Sequence, residues 1–162
     1  VYGHTKLAGE RICLKNDLNS IIIRTSWVYS SFGNNFVKIM RNLMEKKSSI
    51  SVVNDQIGSP TYAADLAESI LTIVNYKNWI PGLYHYSNEG EISWFDFAND
   101  IKYFCNFKIK INGILTKEYP TAAKRPKYSL LDKTKIKKTY NIKVPYYRES
   151  LEKCIKILQN EA

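Results

Sequence analysis

Cysteine is scarce in this chain: Cys13, Cys105 and Cys154 are odd in number, far apart and free of any CxxC spacing. That excludes a disulfide framework and a thiolate metal site, and it points to a reducing cytoplasm. Histidine is scarcer still, with only His4 and His85, so a histidine-rich zinc centre is excluded as well. No apolar run is long enough to cross a bilayer, which leaves no membrane role to read, and no signal peptide is visible at the start. GxxGxxG is missing throughout. A glycine-rich turn of that kind lets a pyrophosphate approach the backbone, so firm dinucleotide binding is not expected of this polypeptide. The chain opens on Val1, already inside a helical pattern, and on that ground is expected to be a fragment or a processed product.

What remains is a chain of 162 residues with an apolar fraction of 44% and a formal net charge of +9. Such a length sustains one domain with a real core. The positive excess could serve a nucleic acid, an anionic small ligand or an acidic surface. Much of it lies in Lys133, Lys135, Lys137, Lys138 and Lys143, a run that reads as a solvated helix face. The aromatic residues sit mostly at core-periodic positions and do not interleave with those lysines, which speaks against stacking recognition of nucleic acid.

The organising stretch is Ile21 to Met44. Three successive isoleucines suit a strand buried on both faces, as in a parallel sheet. Phe36, Ile39, Met40, Leu43 and Met44 then recur at helical spacing and give a helix one apolar face. Between them Arg24, Thr25, Ser26, Trp27, Tyr29, Asn34 and Asn35 place polar and aromatic groups at the carboxyl end of a strand, where ligands bind in open α/β sheets. Asn35 also suits an ordinary helix cap.

Along the chain, Tyr2 and Lys6 are four apart and so share one face of a helix. A neighbouring ammonium favours the ionised phenol. Bringing a phenol from about 10 to about 7 takes roughly 4 kcal/mol of differential stabilisation, and such a pair can act as a general acid. Chance alone supplies about one such pair in a chain this rich in Tyr and Lys. Ser51 to Val53 reads as a strand and Asn54 to Pro60 as a loop, in which Asp55 and Gln56 either order the segment against a ligand or second subunit or simply initiate a turn. Thr61 to Lys77 is expected to be a helix packed through Leu66, Ile70, Ile73 and Val74, with Asp65 near its start. Gly82 to Ser87 is a strand whose His85 reads as structural. Ser93 and Asp96 form a near capping box ahead of a core stripe of Trp94, Phe97, Ile101 and Phe104. Lys108 to Leu115 reads as an exposed strand. Arg125 precedes Pro126 in the loop that follows, where a guanidinium can grip phosphate in bidentate fashion. Lys133 to Tyr140 is a short basic helix. Tyr146 to Gln159 is a closing helix with Leu151, Cys154, Ile155 and Leu158 in an apolar stripe.

The segments YGHTKLAGE, RTSWVYSSFGNNFVKIM, VVNDQIGSPTYAADLAE, GLYHYSNEGEISWFDFA and RPKYSLLDKTKI resemble, in order, the dTDP-4-dehydrorhamnose reductase family of extended short-chain dehydrogenases/reductases. The YxxxK pattern is common to that superfamily, whereas SWVY, GNNF and DQxGSPT are much more specific to this branch. The resemblance implies an α/β fold: the C-terminal part of a Rossmann-like doubly wound parallel sheet plus a small α+β substrate-binding lobe, without the N-terminal dinucleotide-binding half. In domain terms it implies residues 1–32 and 62–88 as a remnant of the NAD(P)-binding domain and 33–61 with 89–162 as the nucleotide-sugar lobe.

It further implies Tyr2 as catalytic acid and Lys6 as its partner on the nicotinamide ribose, with Thr25 and Ser26 at the cofactor. Trp27, Asn35 and Arg125 would hold the dTDP-sugar, the last two at its diphosphate. A helix N-terminus attracts phosphate in any case. The implied reaction is reduction of a 4-keto nucleotide sugar by NADPH or NADH in the cytoplasm, with this chain alone inactive; Mg2+ in the intact protein and a homodimer are left open. The rival readings are an epimerase or dehydratase of the same superfamily, and a regulatory subunit that binds nucleotide without turnover. Retention of both Tyr2 and Lys6 favours the enzyme.

Overall fold

A computed structural model describes residues 1–121, 123 and 125–160. The first helix, α1 (Tyr2–Asn16), closes where the Asp17 N–H bonds back to Cys13, and it contains no buried residue. The isoleucine run forms β1 (Ile21–Thr25) as its branched side chains favour. The run is only half-buried, however, and Arg24 and Thr25 are exposed, against the expectation of a strand covered on both faces. The reason is local: β1 has a single strand neighbour among the described residues, and α1, tied to it through Arg24 and Glu10, buries no side chain.

Two residues later β2 (Val28–Tyr29) leads to α2 (Phe36–Lys46). The residues read as one apolar face of α2 divide into two rows. Met40 and Met44 are buried, together with Val37, whereas Phe36 and Leu43 are partly buried and Ile39 is 41% exposed. After α2 come β3 (Ser49–Val53), β4 (Ile57–Gly58), β5 (Thr61–Tyr62) and α3 (Ala63–Val74). The stretch 54–60, expected to be all loop, thus contains a two-residue strand. The helix expected from Thr61 begins later because Thr61 and Tyr62 are recruited into β5: the Thr61 N–H donates to the Trp27 carbonyl and the Tyr62 N–H to Asn88 Oδ1. Ile73 is buried and Leu66 packs beside it. Ile70 and Val74 are exposed, contrary to the packing reading.

The remaining elements are β6 (Gly82–Tyr86), β7 (Ile92–Ser93), α4 (Trp94–Phe104), β8 (Lys110–Ile114), a single 3-10 turn at Thr116–Glu118, α5 (Thr134–Tyr140) and α6 (Tyr147–Asn160). Strand pairing is mostly parallel, as an α/β chain requires: β1 with β6, β2 with β5 and β3 with β8, while β4 and β7 are antiparallel.

Two cores result. The larger one gathers α2, β3, α4 and α6 around Val37, Phe97, Ile101, Leu151, Cys154 and Ile155. The smaller packs Tyr84 and Tyr86 of β6 against Ile73, Ile136, Tyr140 and Ile142. The lysine run is not uniformly solvated. Lys133 is buried, donates to the Asn88 carbonyl and pairs with Glu89 at 3.2 Å, and Lys135 lies 4.4 Å from the centre of the Tyr84 ring. No helix among the described residues is long and apolar enough to cross a membrane.

Candidate functional site

Helical geometry sets Tyr2 and Lys6 one turn apart on α1, as the spacing requires. The Lys6 ammonium lies 5.5 Å from the centre of the Tyr2 ring, a cation–π approach. Tyr2 is 75% exposed. Further along α1, Glu10 receives a bidentate hydrogen bond from Arg24, at 2.8 and 2.6 Å. That bond first of all, helped by the attraction of the guanidinium charge, holds the Glu10 carboxyl below its ordinary value against the opposing effect of desolvation. Arg24, grouped by sequence with the crevice, therefore fastens α1 to β1.

At the carboxyl end of β1 the chain is stitched to the segment Ser59–Thr61. Ser26 Oγ donates to the Ser59 carbonyl at 3.3 Å, Thr61 Oγ1 donates to the Ser26 carbonyl at 2.7 Å, and the Thr25 and Thr61 hydroxyls lie 3.2 Å apart. Trp27 follows in the left-handed region at φ 51°, uncommon for a bulky residue. Its indole lies nearly face to face on Trp94, with ring centres 3.6 Å apart and planes at 14°. Phe36 leans on the other partner, 4.6 Å from Trp94.

Asn35 caps α2. Its Oδ1 accepts from the N–H groups of Val37 and Lys38, and its Nδ2 donates to the carbonyls of Ser30 and Phe32. Both donors and the acceptor are thus engaged, which gives the side chain the capping role that an asparagine at a helix start suits.

The half-exposed row of α2 explains itself here. Phe36, Ile39 and Leu43 form one wall of a groove of about 660 Å3, β3 forms its floor, and Gln56, Trp94, Tyr119, Thr121 and Arg125 complete it. Asp55 and Gln56 fasten the far wall. The Asp55 carboxylate accepts from the Thr116 hydroxyl and N–H, at 2.6 and 2.8 Å, and Gln56 Nε2 donates to the same hydroxyl at 3.0 Å. The Thr116 hydroxyl is the main reason the Asp55 carboxyl titrates below its ordinary value. Both side chains reach across to the turn that leads to Arg125, a tie within the chain that neither sequence reading of this pair described.

The site predicted from sequence thus falls in four places. Tyr2 and Lys6 stand on α1; Thr25 ends β1, with Ser26 and Trp27 just after it; Asn35 caps α2; Arg125 lines the groove, joined to Trp27 through the Trp94 stack. His85 stands opposite Arg24 on β6, half-buried. Sequence reasoning missed Trp94, which helical spacing grouped with Phe97 and Ile101 as core, and missed Tyr119 and Thr121, whose loop had no pattern to read. Among the described residues no group of three His, Cys, Asp or Glu side chains could hold a metal ion.

The profile of the RmlD substrate binding domain matches residues 1–160. The chain belongs to the RmlD substrate binding domain family. A dTDP-4-dehydrorhamnose reductase of Aggregatibacter actinomycetemcomitans is 40% identical over 163 residues, covering 94% of this chain and 55% of that protein. The spore coat polysaccharide biosynthesis protein SpsK of Bacillus subtilis strain 168 is 41% identical over 151 residues, covering 93% and 52%. In structure, the dTDP-4-dehydrorhamnose reductase of Bacillus anthracis strain Ames in complex with NADP superposes with a TM-score of 0.92 at 40% identity, over 96% of this chain and 55% of that one. The family read from the motifs is therefore the right one, and the α/β fold it implied is the fold observed. The chain spans about half the length of the relatives it matches.

Proposed function

We propose that this chain supplies the substrate-binding part and the general acid of a dTDP-4-dehydrorhamnose reductase, the enzyme that reduces the 4-keto group of dTDP-6-deoxy-L-lyxo-4-hexulose to dTDP-L-rhamnose for cell-surface polysaccharide in the cytoplasm. The observation that carries the reading is the groove. It offers an aromatic and aliphatic lining for a nucleoside, and Arg125 offers a planar fork of donors for a diphosphate. Trp27, stacked on Trp94 between groove and crevice, orients the sugar toward the end of β1. In this reading residues 1–32 and 62–88 serve the cofactor side and residues 33–61 and 89–162 the nucleotide sugar.

The fit to NADPH is partial. Tyr2 and Lys6 make no side-chain hydrogen bond or ion pair to another side chain among the described residues, so both can meet the reactive end of the cofactor. Thr25 and Ser26 are tied to the Ser59–Thr61 segment, and the sequence has no glycine-rich turn for a pyrophosphate. When bound, NADPH supplies the hydride. Tyr2 then gives its hydroxyl proton to the oxygen of the reduced carbon, with the Lys6 ammonium held beside its ring one turn along α1.

Calorimetric titration tests the assignment. This chain should bind dTDP and show no measurable heat with NADPH. Arg125→Ala should weaken dTDP binding about tenfold or more, the usual worth of a lost charge-assisted hydrogen bond. Absence of dTDP binding, or an affinity unchanged in Arg125→Ala, overturns it.

A further inference from the structure

Gly58 sits in β4 with no positive φ to justify a glycine. Space justifies it instead. A Cβ built there would lie 2.9 Å from two carbons of the Trp27 indole, Cε2 and Cζ2, and 2.9 Å from Ser129 Oγ. The strand cannot retreat to make room. On one side Gly58 pairs with Ile92 of β7, and on the other Ile57 bridges Tyr128 and accepts the Ser129 N–H at 2.9 Å. The Ser129 hydroxyl donates to the Ile57 carbonyl at 3.1 Å, but it is the end of a short side chain and can rotate away at the cost of that one bond. The indole is a rigid ring on a left-handed backbone whose carbonyl is held by the Thr61 N–H at 3.1 Å, so it yields only by leaving Trp94.

We propose that Gly58 is a positioning residue: its missing side chain lets Trp27 lie flat on Trp94, and this sets the wall shared by the β1 crevice and the groove. The functional half of the inference rests on the reading of the groove as the nucleotide site. The geometric half does not. β4 delivers the vacancy, β1 delivers Trp27 in a strained conformation, and the first residue of α4 delivers Trp94. Occupancy of the groove beside Trp94 is thereby tied to the orientation of Trp27 at the end of β1.

The test uses Gly58→Ala in this chain with two readouts. Two stacked indoles give an exciton couplet in the far-ultraviolet circular dichroism spectrum, and Gly58→Ala should abolish it while Trp94→Phe, which leaves Gly58 its space, abolishes it without the steric cause. Affinity for dTDP should fall about tenfold, the scale set by small misplacements of a site wall. Removing the ring should make the methyl harmless: Gly58→Ala should lower Tm in the natural background and leave it unchanged in a Trp27→Ala background, whereas a Ser129→Ala background should give no such rescue. If Gly58→Ala alone fails to fold, recovery of folding in Gly58→Ala/Trp27→Ala supports the inference, and failure of the double variant beside a folded Trp27→Ala overturns it. A couplet and an affinity both unchanged in Gly58→Ala also overturn it. Should the natural chain not bind dTDP at all, the groove assignment fails while the couplet and the Tm comparison still decide the role of Gly58.

Discussion

The three thiols differ in burial, and their chemistry should differ with it. Cys154 is fully buried in the larger core, where desolvation first of all pushes its thiol up to about 11. At pH 8 that leaves roughly one molecule in a thousand as the reactive thiolate, with no path for a reagent. Cys13 is exposed on α1 and Cys105 half-buried. A disulfide reagent followed by intact mass should therefore label Cys13 first and Cys154 only on unfolding. Labelling of Cys154 in the folded chain as fast as Cys13 refutes this ordering. Glu89 makes a second case. Burial opposes its ionisation, but hydrogen bonds from Lys137 and Lys133 outweigh burial and keep the carboxyl below its ordinary value. A depressed value in the folded state means a contribution fully present above the unfolded carboxyl range near about 4.3 and lost as pH falls through the folded value. Glu10, Asp55 and Asp132 shift in the same direction, so acid should lower Tm collectively, and Glu89→Gln should make the fall between about pH 5 and 3 shallower. An identical Tm profile in Glu89→Gln counts against the linkage.

Among elements, the joint at Asn88 shows what holds the two cores together. Its Oδ1 accepts the Tyr62 N–H at 2.7 Å from β5. Its Nδ2 donates to the Asp65 carboxylate on α3, to Ser150 Oγ on α6 at 3.0 Å and to the Pro145 carbonyl at 3.3 Å. Its own carbonyl accepts from Ser59 Oγ and the Lys133 ammonium. Asn88→Ala would strand a buried N–H and leave a buried carboxylate with fewer donors, a loss of about 2–4 kcal/mol. At about 2–4 °C per kcal/mol for a chain of this size, Tm should drop by roughly 5–15 °C. A drop under about 2 °C would mean that water replaces Asn88 without cost. The same joint marks the boundary of what sequence could show. The helices α4 and α6 are legible because each has a complete apolar stripe; Phe97, Ile101, Leu151 and Cys154 are all fully buried as their spacing predicts. The two-residue strands β4 and β5 are not, because they exist only through partners far along the chain, Ile92 for Gly58 and Tyr29 for Tyr62. Lys133 is illegible for the same reason: nothing inside a run of lysines distinguishes the one that meets Asn88. In the site, the motifs singled out Trp27 and Arg125, which lie beside the crevice and in the groove, whereas for Asn35 the sequence offered both a diphosphate contact and a helix cap, and the side chain is engaged in the cap.

Over the whole molecule, fastening is uneven, and the unevenness falls on the proposed general acid. α4 and α6 bury Phe97, Ala98, Ile101, Leu151, Cys154 and Ile155 at 1% exposure or less. α1 buries nothing and is joined to the rest through the Arg24–Glu10 pair, whose guanidinium is itself exposed. A helix of 15 residues without a packed face is marginal in water, and an exposed ion pair adds about 1 kcal/mol at most. Local opening of α1 should therefore cost little, while opening of α4 and α6 requires loss of the larger core. Hydrogen exchange followed by mass spectrometry should find the amides of residues 2–16 exchanging far ahead of those of residues 94–104 and 147–160. Added 0.5 M salt should speed the first group and leave the second unchanged, because screening weakens the exposed pair and not the apolar core. Equal protection of α1 and α4 would show that α1 is packed more firmly than its exposure allows. If the gradient is found, Tyr2 stands on the least secured element of this chain, and a cover for the exposed faces of α1 and β1 becomes the requirement for holding its hydroxyl at a substrate.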